Sequence, residues 1–126
     1  MKEKKITDYQ RELKGKTPQE IITWAIANFD KKDIALSSSM GAEDQVLTDM
    51  LVKIDPEINI FTLDTGRLSE ETYAAIEETI EHYNKYIEII FPESNDIEEM
   101  LCKRGPNLFY ESIEDRKLCC QVRKVK

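Results

Sequence analysis

Asp33-Ile34-Ala35-Leu36-Ser37-Ser38-Ser39-Met40-Gly41-Ala42-Glu43-Asp44 passes from an apolar run through small hydroxyl residues into a stretch of helical spacing. Residues 33–38 read as a short buried strand entering a small-residue loop. Val46, Leu47, Met50, Leu51 and Ile54 place a helix over 43–54. The same succession recurs downstream without any sequence repeat. Residues 58–63 are strand-like and break at Asp64-Thr65-Gly66; Ser69 then caps a long helix through Tyr83, with Glu70 and Glu71 complementing its positive end. A third strand spans 86–91 and closes at Pro92, and a helix over 96–104 stops at Gly105-Pro106. Strands alternating with helices of this length require crossover connections, so the expected fold is α/β, a parallel sheet with helices on both faces.

Upstream, Thr17, Pro18 and Glu20 supply an N-cap, a first-turn proline and a capping-box acid ahead of Ile21, Ile22, Trp24 and Ile26. That helix is expected to end near Asp30, and residues 1–32 read as a helical lead to the sheet. The chain has 126 residues, 40% hydrophobic and 34% charged, which fits one soluble globular domain. Eighteen basic against 25 acidic side chains leave a net charge of -7, which argues against a non-specific grip on nucleic acid or anionic lipid. The charge is unevenly spread. Residues 103–126 hold seven basic and three acidic side chains, a local +4, so the first 102 carry -11. A basic end on an acidic body suggests an anionic small molecule near that end. The charged start Met1 to Lys5 is followed by no apolar run, and no stretch approaches the roughly 20 apolar residues of a membrane span, so cytoplasm is the expected location. Three cysteines, Cys102, Cys119 and Cys120, suit metal or redox chemistry better than a disulfide framework.

In a parallel sheet, ligands bind beyond the carboxyl ends of the strands. Two loops leave such ends. In residues 37–44, backbone amides at a helix start, the hydroxyls of Ser37, Ser38 and Ser39, and Gly41 could surround a tetrahedral anion; a cap at Ser39 and a turn at Gly41 are the plainer reading. The loop lacks the Lys-Ser/Thr ending of a Walker A motif and the Gly-x-Gly-x-x-Gly of a dinucleotide fingerprint. In Leu63-Asp64-Thr65-Gly66-Arg67, Asp64 could hold a ribose hydroxyl or base amine and Arg67 an anion, although Asp-Thr-Gly is also good turn chemistry. Cys119-Cys120 lacks Cys-x-x-Cys spacing; it could supply two thiolates to an iron–sulfur cluster balanced by Arg123 and Lys124, or be two small side chains on an amphipathic helix. Cys102 reads as structural, and His82 as a surface histidine.

Ser-Ser-Ser-Met-Gly-Ala-Glu-Asp at 37–44, Leu-Asp-Thr-Gly-Arg at 63–67, Phe109-Tyr110-Glu111-Ser112 and Cys119-Cys120-x-x-Arg123-Lys124-Val125 together resemble the sulfonucleotide reductases of sulfate assimilation. The likeness is to the adenylylsulfate (APS) reductases and their relatives, the phosphoadenylylsulfate (PAPS) reductases. The resemblance implies an adenine-nucleotide alpha-hydrolase-like fold. It implies that Ser37, Ser38, Ser39, Gly41, Ala42 and Asp44 hold the phosphosulfate, and that Leu63, Asp64, Thr65, Gly66 and Arg67 face the nucleotide. It further implies a [4Fe-4S] cluster with Cys119 and Cys120 as two of its four ligands, and Lys124 as electrostatic support. The implied reaction is thiol-dependent reduction of APS to sulfite and AMP, with thioredoxin or glutaredoxin as partner. The family's nucleophile lies in a Glu-Cys-Gly-x-His motif that follows a second Cys-x-x-Cys. Neither motif occurs here, so residues 33–126 read as the N-terminal part of a longer nucleotide-binding domain whose sheet is incomplete, inactive alone.

Alternatives are PAPS reduction to sulfite and adenosine 3',5'-bisphosphate, and a non-catalytic adenylate-binding module. An ATP pyrophosphatase of the same superfamily fits less well, because residues 37–44 lack Ser-Gly-Gly-x-Asp-Ser.

Overall fold

The computed structural model describes residues 6–125; the charged start at Met1 to Lys5 and the basic Lys126 lie outside the described residues. Helix α1 (Ile6–Leu13) and helix α2 (Pro18–Asn28) precede the sheet. Thr17 caps α2, its hydroxyl accepting the Glu20 amide at 3.2 Å. Trp24 joins the two helices: its ring meets Tyr9 edge-on at 5.5 Å and its Nε1 donates to Glu12 Oε1 at 3.2 Å.

Three parallel strands follow, β1 (Ala35–Ser37), β2 (Asn59–Leu63) and β3 (Glu88–Ile90). Helix α3 (Ala42–Ile54) links β1 to β2 and helix α4 (Glu70–Tyr83) links β2 to β3. The strands lie in sequence order, Leu36 opposite Ile60 and Thr62 opposite Ile89. Both crossovers therefore advance in one direction, and no reversal of strand order occurs among the described strands. The α/β class and parallel sheet are as the sequence predicts, with strand ends trimmed by one to two residues where no neighbour extends the ladder.

Burial explains how the layers hold. Ile22 of α2, Leu51 of α3, Ile58, Ile60 and Ile87 form one core, with Leu36 and Ile80 packed against it. Removing a side chain such as Ile60, only 3% exposed, is expected to cost about 2–5 kcal/mol. The alternation of β2 turns Ile60 and Thr62 into this core and leaves Phe61 and Leu63 half-buried on the opposite face, beside exposed Glu88 and Ile90.

Helix α5 (Ser94–Arg104) starts two residues earlier than the spacing suggests and ends at Gly105, whose φ of +85° is suited to glycine. A 3-10 turn (Leu108–Tyr110) leads to helix α6 (Ile113–Cys120), capped by Ser112, which accepts the Asp115 amide at 3.0 Å. The expected basic helix then loosens into a π-helical turn over Gln121–Val125. Met100, Leu108, Cys119 and Val122 make a second core, and Arg104 bonds Asp115 at 2.7 Å between α5 and α6. None of the described helices is long and apolar enough to cross a membrane.

Candidate functional site

The loop at 37–44 leaves β1 beside β2, for the Ser38 amide donates to the Phe61 carbonyl at 2.9 Å and continues the ladder. Its polar groups are largely bonded to one another. Asp44 Oδ2 accepts the Ser39 amide at 2.7 Å and the Ser39 hydroxyl at 2.6 Å, and these bonds hold the Asp44 carboxyl below its usual range. Buried Ser38 accepts the Met40 amide at 3.1 Å, and Ser39 accepts the Gly41 amide at 3.3 Å. The amides at 39–41 are thus engaged within the loop. Those of the first turn of α3 remain, because the N-cap is Gly41, which has no side-chain acceptor. The turn also bends differently from expectation: Met40 carries φ +64°, while Gly41 lies at -70°.

The 63–67 turn is tied from three sides. Its Asp64 amide donates to the Ile90 carbonyl at 2.9 Å. The buried Asp64 carboxylate accepts the Gly66 amide at 2.8 Å and the Tyr73 hydroxyl at 2.9 Å; that hydrogen bond raises the Tyr73 phenol. Asp64 here shapes the turn. Arg67 reaches outward to the Pro106 carbonyl and to Asn107 Oδ1 at 2.6 Å, with its guanidinium 4.6 Å from the Phe109 ring centroid. Arg67 therefore clamps the turn to the segment between α5 and α6.

Arg123 approaches from the other side. It is buried, donates from Nη1 to the Thr65 carbonyl, and leaves its Nε without a hydrogen-bond partner. Gly66 has φ +78°, and a Cβ there would lie 3.3 Å from Arg123 Nη1. Glycine is needed twice over, for the backbone angle and for the close approach.

Two cavities meet at this junction. The larger, about 430 Å³, is lined by Thr65, Arg67, Phe109, Tyr110, Arg116, Cys119, Cys120, Arg123 and Lys124. Four of these side chains are cationic and none is acidic. The smaller, about 210 Å³, is lined by Ser37, Ser38, Ser39, Thr62, Leu63, Thr65, Leu68, Thr72 and Lys124. Thr65 and Lys124 belong to both. The serines, Leu63, Thr65, Arg67, the cysteine pair and Lys124 are thus brought together, whereas Gly41, Ala42, Asp44, Asp64 and Gly66 line neither cavity and act through loop geometry. Arg116 was not singled out by the sequence, although it stands three and four residues before the cysteines and so shares their helix face.

All three described cysteines are free thiols, Cys119 buried and Cys120 exposed. Cys102 is exposed on α5, so the expected structural role is not a core one; His82 is at the surface, against Tyr83. Among the described residues no group of three or more His, Cys, Asp and Glu is placed to hold a metal. Two consecutive thiols at a cation-lined cavity fit half of a four-thiolate ligand set.

The fold and site define a class, a parallel α/β domain with anion-receptive cavities at the carboxyl ends of its strands. Residues 33–126 match the phosphoadenosine phosphosulfate reductase domain. The chain belongs to that family. It is 45% identical over 101 residues to the adenosine 5'-phosphosulfate reductase of Sinorhizobium fredii (strain USDA 257), covering 80% of this chain and 40% of that protein. It is 37% identical over 114 residues to the same-named protein of Pseudomonas aeruginosa (strain LESB58), covering 90% and 41%. A rice protein, "Probable 5'-adenylylsulfate reductase 1, chloroplastic", is 37% identical over 122 residues, 94% of this chain and 25% of that one. The chain spans about two-fifths of the length of the bacterial relatives.

Proposed function

We propose that this chain forms the nucleotide-binding portion of an enzyme that reduces adenylylsulfate to sulfite and AMP with electrons from a thiol donor. The observation that carries the reading is Lys124, whose side chain lines both the serine cavity and the cysteine cavity. A phosphosulfate is a compact, doubly anionic group. Lys124, Arg116 and Arg123 offer it positive charge with no acid lining the larger cavity, and Ser37, Ser38, Ser39 and Thr65 offer hydrogen-bonding groups in the smaller one. The family and its similar members, named as phosphosulfate reductases, support the same substrate class.

The chemistry proposed for the full enzyme is thiol-based. A cysteine thiolate attacks the sulfate sulfur, forming an S–S bond while the S–O bond to phosphate breaks and AMP leaves with the electron pair. A second thiol, from thioredoxin or glutaredoxin, displaces sulfite and ends as a disulfide, so sulfur gains the two electrons the thiols lose. Neither Cys102, Cys119 nor Cys120 is assigned as that nucleophile. Cys119 and Cys120 would be two of the four ligands of a [4Fe-4S] cluster, which when bound supplies an anionic iron–sulfide centre near the phosphosulfate. Arg116, Arg123 and Lys124 would balance its charge. Reduced thiols fit the cytoplasm.

Titration of the 126-residue chain with APS, AMP and PAPS by calorimetry tests the reading. APS is expected to bind weakly and more tightly than AMP, Lys124→Ala is expected to remove that difference, and thioredoxin is expected to release no sulfite. Equal affinity for APS and AMP, unchanged in Lys124→Ala, would overturn the assignment of the phosphosulfate to this junction. Tighter binding of PAPS would favour the phosphorylated substrate.

A further inference from the structure

Arg67, Arg116, Arg123 and Lys124 line the larger cavity, and none of them is paired with a carboxylate among the described residues. Arg67 and Arg123 donate to the neutral acceptors of Pro106, Asn107 and Thr65. Arg123 is only 8% exposed, yet its Nε has no partner. A cavity walled by uncompensated positive charge concentrates anions. Cys120 stands on the same wall as an exposed thiol. Cys102 offers the contrast. It is also exposed but does not line this cavity, and the cations next to it in sequence are neutralised, Lys103 by Glu99 at 2.6 Å and Arg104 by Asp115 at 2.7 Å.

We propose that Cys120, whenever no cluster occupies it, is a site of mixed-disulfide formation selective for anionic low-molecular-weight disulfides, of which oxidised glutathione is the type. The cavity, about 430 Å³, suits a molecule of tripeptide size. The carboxylates of glutathione outnumber its ammonium groups, so each half meets Arg116 and Lys124 as an anion. Phe109 and Tyr110, the latter 75% exposed, offer an aromatic wall beside them. Cys120 loses its proton to water and attacks one sulfur of the disulfide. The new S–S bond forms as the old one breaks, and the other half leaves as a thiolate with the electron pair. Cys120 is thereby oxidised and the departing half reduced. The adduct persists, because Cys119 is buried and neighbouring residues, with Cα atoms about 3.8 Å apart, fall short of the span of a relaxed disulfide. The inference needs only the thiol and the charge around it, and stands apart from the phosphosulfate assignment.

The test exposes the reduced, iron-free 126-residue chain to oxidised glutathione or to cystamine, a disulfide that carries ammonium groups instead, and times the adducts at Cys120 and Cys102 by peptide mass spectrometry. The ratio of the two rates, Cys120 over Cys102, is expected to be about tenfold higher with oxidised glutathione than with cystamine. Each thiol serves both reagents, so its thiolate fraction cancels, and dividing by Cys102 removes the intrinsic reactivity of each reagent. Added sodium chloride is expected to shrink the difference, and Arg116→Ala to cut it severalfold. Arg116 is exposed, so that variant is expected to keep its circular dichroism. The same ratio with both disulfides would overturn the proposal. So would a preference indifferent to Arg116→Ala, or a disulfide between Cys119 and Cys120 in place of the adduct.

Discussion

Replacing Gly66 by alanine tests the junction at its tightest point. Gly66 sits at φ +78°, where a residue with a Cβ costs about 1–2 kcal/mol more than glycine. The added methyl would also stand 3.3 Å from Arg123 Nη1, the atom that donates to the Thr65 carbonyl. Arg123 is 8% exposed and lines the larger cavity, so its guanidinium can yield to the methyl by moving toward that cavity and away from the Thr65 carbonyl. Losing a hydrogen bond from a buried charged group adds about 1.5–3 kcal/mol. The sum expected for Gly66→Ala is about 2.5–5 kcal/mol, or roughly 10–20 °C in Tm for a chain of this size. Urea unfolding followed by circular dichroism reads it, and two comparisons isolate the contact. Gly15 has φ +79° and nothing within 4 Å of its would-be Cβ, so Gly15→Ala carries the backbone term alone. In an Arg123→Met background the excess cost of Gly66→Ala over Gly15→Ala should disappear. Equal losses for the two glycines, or an excess that survives Arg123→Met, would refute the reasoning.

Three further outcomes follow from the same geometry. Asp44 has a folded pKa below its unfolded one, so its support of the serine loop is complete above the unfolded carboxylate's range and is lost as pH falls through the folded pKa; Asp44→Asn should flatten the acid limb of stability against pH. Maleimide labelling of the native chain read by mass spectrometry should modify Cys102 and Cys120 quickly and buried Cys119 only on opening, and equal labelling of all three would contradict that burial. Arg67→Ala should lower stability by about 1–2 kcal/mol through loss of the Pro106, Asn107 and Phe109 contacts, with Arg67→Lys recovering little because a single ammonium cannot reproduce the planar fork; full recovery by lysine in urea unfolding would reduce Arg67 to a plain charge.

The parts legible in the sequence are those governed by near neighbours. Thr17 and Ser69 cap the helices they precede, and Gly105 ends α5, because a cap bonds an amide only three residues away and a C-terminal glycine answers a local angle. Both loops fall at strand ends as their composition suggests. What the sequence hides is what distant residues decide. Arg123 meets Thr65 across 58 residues, so nothing in Leu63-Asp64-Thr65-Gly66-Arg67 reveals that its glycine is needed against an arginine. Asp64 and Arg67 each carry two plausible reaches in sequence, and the fold draws both into holding the turn. Met40 at φ +64° is concealed by the adjacent Gly41, the residue that composition favours for such an angle. Helix α1 is only eight residues long, and its tie to Trp24 through Tyr9 and Glu12 is tertiary.

The order β1-β2-β3 bears on how the chain is made. Each strand pairs with the one synthesised just before it, Leu36 with Ile60 and Thr62 with Ile89. Each closure among the described strands therefore spans about 25 residues, and none of these three waits for a later one to be inserted between it and its neighbour. At about 5–20 residues per second, successive strands leave the ribosome on the order of seconds apart, far longer than helix formation or loop closure takes. The sheet can grow as a queue, one strand docking on a finished neighbour while the next is still being translated.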